Sequence, residues 1–590
     1  MTNSILESII LEINSETNLD ASDRIITFDD LGFLVEFAYD SSLVIAIKEI
    51  AGAKYSKQIK KWIIPRSSAS LLAKFGVAYH FSGLDLVKEA TKEENEIVKE
   101  SFAEDADIDT SRLKRNLMAY QRAGVKYALN RRRVLIGDEM GLGKTVQALA
   151  ACLLDGAFDS KKSGGVVVVC PASLKRNWYR EVKLWLPDSI DAVIIDGKKK
   201  SDYLGDVVIV NYDILESHLD ALVERNFAGC IVDESHFVKN PTAKRTKSVT
   251  KLARSVKENG LILALTGTPI VNRPNELVSQ LRVLNRLDEV FGGYWPFVKR
   301  YCAARKGQFG WDVSGSSNLD ELNERLRASC YVRRLKENVL ADLPAKERRQ
   351  LWLDASAEDF AKYQLAQDDV LAWLREQAKE VLINAGDDPD EQKAALLAWA
   401  KANSNNAEHL RRIATLRQLA GQAKVAPAIE WINRFLEESE RKIVVFAHHV
   451  SVVDALAKAF GDSAVRISGS VALSKRQEAV DSFQNNKKTR VFVGNIDAAG
   501  VGITLTAASD VLFVEQGWTP AQHDQAEDRC HRIGQRDSVT AWYGLLGNSI
   551  DEEMTELIDK KRSVVTQVTN GEQGSSNAAL IANLLEKVSV

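Results

Sequence analysis

The stretch Gly137-Asp138-Glu139-Met140-Gly141-Leu142-Gly143-Lys144-Thr145 decides the fold expected of this chain. Val134-Leu135-Ile136 before it is a short apolar run that reads as a buried strand. Val146-Gln147-Ala148-Leu149-Ala150 after it reads as the opening of a helix. Strand, glycine-rich loop and helix together form a phosphate cradle: backbone N–H groups and the helix N-terminus point at the phosphates, and Lys144 adds a positive charge. Thr145 is placed to bind magnesium. The strict pattern wants glycine at position 138, where this chain has Asp138.

Further along, Cys230-Ile231-Val232 runs into Asp233-Glu234-Ser235-His236. A strand ending in Asp-Glu partners such a loop: Asp233 holds magnesium through water, and Glu234 orients or deprotonates the attacking water. Alone it would be an acidic strand end facing solvent; the loop upstream favours the functional role. Leu263-Ala264-Leu265-Thr266-Gly267-Thr268-Pro269 is a third strand-end loop, with hydroxyls able to link nucleotide state to the second lobe by hydrogen bonds, although alone it could be an ordinary turn. Near the C-terminus, Arg529 and Arg532 in QAEDRCHRIGQ lie three apart and would share a helical face. They are expected to reach across a cleft to the γ-phosphate as arginine fingers; the bland alternative is a solvated basic helix face.

At 590 residues the chain is too long for one core, and roughly three to four domains are expected. The net charge of −3 gives no overall nucleic-acid signature, so any basic footprint must be local. The six cysteines form no Cys-x-x-Cys pair and read as buried thiols rather than bridges or zinc ligands. No apolar run of about 18 residues suggests a membrane span, and MTNSILESIILEINSE lacks the basic start of a signal peptide. A cytoplasmic, nucleoid-associated protein is expected, or a nuclear one in a eukaryote.

Residues 89–109 are densely acidic and read as a linker, leaving a small domain at 1–95. Apolar runs alternate with helical patterns over 96–279 and again over 426–565, predicting two α/β lobes with parallel sheets. Residues 280–425 lack clear strands and read as helical insertions and linker, and 566–590 as a tail.

In order along the chain, LMAYQRAGVKYAL, GDEMGLGKT, VCPASLKRNW, VNYDIL, DESH, LTGTP, VVFAHH, GVGITLTAASDVLF and QAEDRCHRIGQ resemble the motif series of Swi/Snf-type members of helicase superfamily two. Asp138 is normal in that family. NRPNEL, GWDVSGSSNL, YVRRLKENVLADLPAKERR and the segment FLVEFAYDSSLVIAIKEIAGAKYSKQIKKWIIP resemble the HARP-type annealing helicases. The resemblance implies an α/β fold of two RecA-like lobes, with helical insertions and a small N-terminal α+β HARP-like module at 1–95. It also implies ATP and Mg2+ as cofactors. Gln121 would read the adenine edge, with Asp138, Glu139, Met140, Gly141, Leu142, Gly143, Lys144, Thr145, Gly500 and Gln535 around the nucleotide. Lys144, Asp233, Glu234, Arg529 and Arg532 would carry hydrolysis.

The implied activity is that of an ATP-dependent double-stranded DNA translocase acting at branched DNA, rewinding complementary strands and remodelling forks. The alternatives are a nucleoprotein remodeller that displaces proteins or polymerase from duplex DNA, and a junction-binding scaffold with a weak ATPase. The expected partner is DNA, as duplex, fork or junction, bound by a monomer. A single-strand-binding protein is a further candidate, although the recruiting tail of some family members has no visible counterpart.

DNA contacts are expected from Ser173, Asn211 and Tyr212 in the first lobe and His448, Ser468, Gly469, Thr504 and Trp518 in the second. The alternative for Trp518 is a core tryptophan. Residues 237–257 carry basic residues and no acid, and Lys244, Lys247, Lys251 and Arg254 would form a basic stripe, although most such stripes are solvated faces. In the N-terminal module Lys57, Lys60 and Lys61 are candidates for phosphate contact, while Trp62 is expected in the core.

Overall fold

The computed structural model describes residues 24–570, apart from 51, 160–163, 198–202, 271–272, 308–309, 341, 385–390, 393–394, 396–398, 400–406, 470, 472 and 500–502. Strands β1 (Ile25–Asp29), β2 (Gly32–Glu36), β3 (Lys54–Ser56) and β4 (Lys61–Ile64) form an antiparallel sheet in the order β1-β2-β4-β3. In β4 alternate residues face inward, so Trp62 and Ile64 are buried and join Phe33, Val35, Ile47 and Phe75 in a small core. Trp62 is thus a core residue, as expected.

The acidic linker expected over 89–109 is instead largely helical. Helix Leu84–Ser101 buries Val87, Ala90 and Ser101, a narrow apolar stripe that its acidic composition masks. Glu94 on this helix accepts from the backbone N–H groups of Ala69 and Ser70, both at 3.2 Å, satisfying donors at the start of helix Ala69–Ala78. The helix also continues through position 95, so it ties the module to the first lobe.

The first lobe holds β5 (Arg133–Ile136), β6 (Val166–Cys170), β7 (Ala192–Ile194), β8 (Val207–Asn211), β9 (Gly229–Asp233) and β10 (Leu261–Leu265). Beyond them come a hairpin, β11 (Arg305–Gly307) with β12 (Gly310–Asp312), and the two-residue β13 (Tyr331–Val332). The lobe's sheet is parallel, in the order β13-β5-β10-β9-β6-β8-β7. Its central strands β6, β8, β9 and β10 are buried along their whole length, which is why they are apolar apart from Asn211 and Asp233 at the carboxyl ends of β8 and β9.

The second lobe holds β14 (Lys346–Trp352), β15 (Lys442–Ala447), β16 (Ala464–Ile467), β17 (Val491–Asn495), β18 (Ala508–Phe513) and β19 (Val539–Leu545). They form a parallel sheet in the order β14-β19-β18-β15-β17-β16. The expectation that 280–425 lacks strands fails at both sheets: β13 closes the edge of the first and β14 the edge of the second. The first is too short to show a period. The second, KERRQLW, is a mostly exposed edge whose charges hide the strand.

Candidate active site

Strand order brings the phosphate loop after β5, the Thr266–Thr268 loop after β10 and Asp233 at the end of β9 to the carboxyl ends of three adjacent strands. The loop runs through Gly141 and Gly143 at φ +86° and +77°, a left-handed backbone that favours glycine. A Cβ at Gly143 would lie 2.5 Å from Gln121 Nε2. Gln121 itself donates to the Leu142 carbonyl at 3.2 Å and accepts from Met118 N–H at 3.0 Å, so it braces the loop. Lys144, first residue of helix Lys144–Leu154, donates to the carbonyls of Asp138 and Glu139 at 2.7 and 3.3 Å. Burial lowers its pKa against the pull of Glu234, Asp138 and Asp233.

Asp138 does not face the nucleotide side. Its carboxylate is fully buried, accepts from Arg334 N–H at 2.9 Å and Gln147 Nε2 at 2.9 Å, and pairs with the Arg334 guanidinium at 3.2 Å. The aspartate therefore anchors the loop to the segment after β13, which explains why a carboxylate stands in a phosphate loop. Gln535 is likewise internal: its amide donates to the carbonyls of Ala508 and Cys530, at 2.8 and 3.1 Å, and its carbonyl accepts from Arg536 N–H at 2.8 Å. It shapes the turn that holds the arginines. Leu142 is also fully buried, and Met140 packs toward Gly267.

Asp233 accepts from Trp178 Nε1 at 2.7 Å and from Glu234 N–H at 2.9 Å. Burial, and then the Glu234 carboxylate, push it up to about 7. Glu234 sits at φ 49°, a strained conformation for a non-glycine residue. Against the desolvation of its own burial, His236, Lys144 and Arg529 hold Glu234 below the usual carboxylate range. His236 also shares a hydrogen bond with Thr266 Oγ1 at 3.1 Å, linking two motif loops.

The second lobe presents Arg529 and Arg532 to this pocket. Helix Pro520–Glu527 stops before them, so the shared helical face expected from the sequence is absent; a tight turn, with Arg532 N–H on the Cys530 carbonyl at 3.2 Å, brings them together instead. A Cβ at Gly141 would lie 3.2 Å from Arg532 Cβ, so this turn lies directly against the phosphate loop. Burial, and then the charge of Arg532, lower Arg529 to about 10, while Glu234 of the first lobe opposes that shift. Two half-buried cations this close favour an anion between them. Thr504, expected at DNA, accepts from Arg532 Nη1 at 3.0 Å and belongs to this turn.

The residues fit a nucleotide and Mg2+. Positive-φ glycines leave room for close backbone approach, Lys144 and two arginines supply charge from both sides, and the Thr145 hydroxyl and Asp233 carboxylate are hard oxygen donors suited to Mg2+. Gly500 lies outside the described residues. Among the described residues no cluster of three or more His, Cys, Asp or Glu forms another metal site, and all six cysteines are free and buried. No helix among them is long and apolar enough to cross a membrane.

Sequence reasoning missed the strap after β13. Arg333 donates to the carbonyls of Gly137 and Gly267 at 2.7 and 3.0 Å, tying two nucleotide loops together. Lys336 N–H donates to Glu139 at 2.7 Å, and its ammonium meets Asp528 at 2.8 Å and the His531 carbonyl at 2.5 Å. Lys346 and Arg348 then pair with the buried Glu527 at 2.9 and 2.7 Å. The strap lines a cavity of about 530 Å3 between the lobes. Its segment was recognisable as subgroup-like, but no single residue in it carried a chemical signal.

The expected DNA residues divide. Ser173 of the first lobe and Gly469 of the second line one cleft of about 460 Å3, with Phe237, Arg476 and Asn495. His448 lies beside it, 3.6 Å from Asp497, lowered by burial and Arg417. Tyr212, Asn211 and Ser468 are buried; the Tyr212 hydroxyl donates to the Asp233 carbonyl at 2.6 Å and so supports the end of β9. Trp518 is half-buried under Arg417, whose guanidinium stands 4.2 Å from its ring centre. Lys244 and Lys251 pair with Glu216 and Asp220 at 3.4 and 2.9 Å, Arg245 stands 5.9 Å from the Phe237 ring centre, and Lys247 and Arg254 of that helix are exposed. Lys57 and Lys60 are exposed, whereas Lys61 pairs with Glu36 at 2.8 Å.

A phosphate loop and acidic strand end on one parallel-sheet lobe, completed by arginines from a second such lobe, define a two-lobed nucleotide-binding motor core of the helicase type. The SNF2-related domain matches residues 120–410 and the helicase conserved C-terminal domain matches 426–534. The Caenorhabditis elegans "SWI/SNF-related matrix-associated actin-dependent regulator of chromatin subfamily A-like protein 1 homolog" is 31% identical over 94% of this chain and 76% of its own length. The Xenopus laevis subfamily A-like protein 1 is 35% identical over 79% of this chain and 46% of its own length. The Mus musculus "DNA annealing helicase and endonuclease ZRANB3" is 34% identical over 80% of this chain and 43% of its own. The chain belongs to the SNF2-related family and groups with these relatives. It spans less than half the length of the Xenopus laevis and Mus musculus proteins.

Proposed function

We propose that this chain is an ATP-driven translocase on double-stranded DNA that acts at branches, rewinding complementary strands and remodelling forks. The observation that carries it is the packing of Arg532 against the phosphate loop, with Arg529 close enough to Glu234 to shift its titration. Nucleotide charge is thus answered from both lobes. Lys144 would bind the phosphates, Glu234 would take the proton of the attacking water, and Arg529 and Arg532 would stabilise charge on the transferring phosphoryl group. A bound Mg2+, held by Thr145 and Asp233, would neutralise phosphate charge. Once the γ-phosphate leaves, the arginines lose their counter-charge and the second lobe is free to shift.

DNA would lie along the cleft shared by Ser173 and Gly469, where relative lobe movement becomes movement along a strand. Sequence-independent phosphate contact suits such tracking. In this division residues 96–279 bind nucleotide, 426–565 supply the second half-site, and the N-terminal module, with Lys57 and Lys60 exposed, holds the branch. Its place of action is the compartment that holds DNA.

The test is ATP hydrolysis on duplex, single-stranded, forked and four-way DNA, scored beside rejoining of complementary strands. Branched DNA should stimulate most, and strands should rejoin only with ATP. Hydrolysis indifferent to every DNA would refute the assignment. Equal stimulation by plain duplex and fork, without rejoining, would favour a remodeller that strips proteins from duplex.

A further inference from the structure

One surface of the first lobe has no part in the nucleotide pocket or in the interlobe cleft. Helix Tyr294–Tyr301 buries Phe297, Val298 and Tyr301, and Phe297 packs edge-on against Phe291 at 5.2 Å. Its other face carries Trp295 and Lys299, four residues apart and so neighbours along the helix. The hairpin β11–β12 places Trp311 with its ring centre 5.4 Å from that of Trp295, the planes tilted by 57°. Lys299 Nζ stands 5.6 Å from the Trp311 ring centre. Lys306 is in register with Trp311, and directly opposed residues of an antiparallel pair project to one face. Asp312 is the only acid between 294 and 312, and its carboxylate accepts from Ser314 N–H at 3.0 Å.

Trp295 and Trp311 are 47% and 43% exposed, and Lys299 and Lys306 are also exposed. Two indoles held in contact by a helix and a hairpin, each nearly half open to water and flanked by cations, are ill-used as core. Large exposed aromatic surface marks a binding site, and aromatic faces interleaved with cations suit an unpaired strand, because every base has a π-face and every linkage a phosphate.

We infer that Trp295 and Trp311 form a stacking platform for an unpaired nucleic-acid strand, with Lys299 and Lys306 meeting its phosphates. This deepens the proposed function and rests on it, since rejoining strands presents unpaired bases beside a branch. The platform adjoins the N-terminal module: Arg300 pairs with Glu49 at 3.4 Å, and a Cβ at Gly292 would lie 3.0 Å from Gly52 Cα. An unpaired strand leaving a branch on the module meets the platform as a neighbouring surface. A protein partner would use the indoles without needing the lysines.

The test measures binding of labelled oligo(dT) to the full chain by fluorescence anisotropy, beside ATP hydrolysis on blunt duplex. Trp295→Ala with Trp311→Ala should weaken oligo(dT) binding about ten-fold or more, and Lys306→Glu should weaken it and flatten its salt dependence. Trp311→Phe, which keeps a π-face, should retain most of the affinity. Duplex-stimulated hydrolysis should be unchanged in all of these variants. Unchanged oligo(dT) affinity in the double variant with duplex-stimulated hydrolysis intact overturns the platform alone, and leaves the indoles to a protein partner. Should the double variant also lose hydrolysis, Lys306→Glu decides, since unchanged affinity there overturns the platform equally. Absence of any DNA-stimulated hydrolysis in the unmodified chain overturns instead the translocase on which it rests.

Discussion

The Lys336 ammonium lies 2.8 Å from the Asp528 carboxylate, although the two belong to different lobes. Lys336 follows the edge strand of the first sheet, and its own N–H is held by Glu139 of the phosphate loop. Asp528 immediately precedes Arg529. One buried ion pair therefore joins the loop that would hold phosphate to the turn that would sense it.

Replacing Lys336 by Ala should destabilise the folded chain by about 2 kcal/mol, the scale of a lost charged hydrogen bond, because Lys346 remains 3.4 Å from Asp528 and limits the damage. DNA-stimulated hydrolysis should fall with it. Urea unfolding of the variant beside the unmodified chain measures the first effect; coincident midpoints would show the pair to be idle.

Arg532→Ala should lower kcat about a hundred-fold while changing nucleotide affinity only a few-fold, since a finger acts on charge that grows in the transition state. Steady-state hydrolysis with saturating DNA, beside binding of a non-hydrolysable analogue, separates the two. Equal losses in both would make the arginine a ground-state ligand.

Asp138→Asn tests the structural role assigned to that carboxylate. It removes the partner of a fully buried guanidinium, which costs about 3–5 kcal/mol. Loss of stability in urea with unchanged analogue affinity is expected. A variant as stable as the parent but unable to bind nucleotide would return Asp138 to the ligand set.

His523 gives a pH signature. Burial, and then the charge of Arg562, lower its pKa from 6.5 to about 3, and its Nε2 accepts from Gly517 N–H at 2.8 Å. Below pH 6.5 the unfolded chain binds a proton that the folded chain refuses. The stability His523 contributes is therefore complete above pH 6.5 and falls as pH drops toward 3, by about 1.4 kcal/mol per unit. Unfolding free energies at pH 7 and 5.5 should diverge less in His523→Gln than in the parent. Parallel pH profiles would rule out a neutral buried histidine.

The phosphate loop, the Asp233-Glu234 strand end and the paired arginines were legible because their chemistry needs particular side chains close together in the chain. The two parallel sheets were legible too, because strands such as VVVVC and VVIVN, buried on both faces, must be apolar up to their carboxyl ends. The helix at Leu84–Ser101 was not, since a stripe as narrow as Val87 and Ala90 is swamped by its acids. Nor were β13 and β14, one too short and the other too charged to show a strand period.

Local sequence thus determined which groups could handle a nucleotide and which strands would carry them. Tertiary structure alone decided that Asp138, Tyr212 and Gln535 serve as supports, that Lys336 joins the lobes, and that two tryptophans meet in solvent. Each of those roles depends on a partner brought near only when the sheets and insertions pack, and distance in space between such groups leaves no trace in their order along the chain.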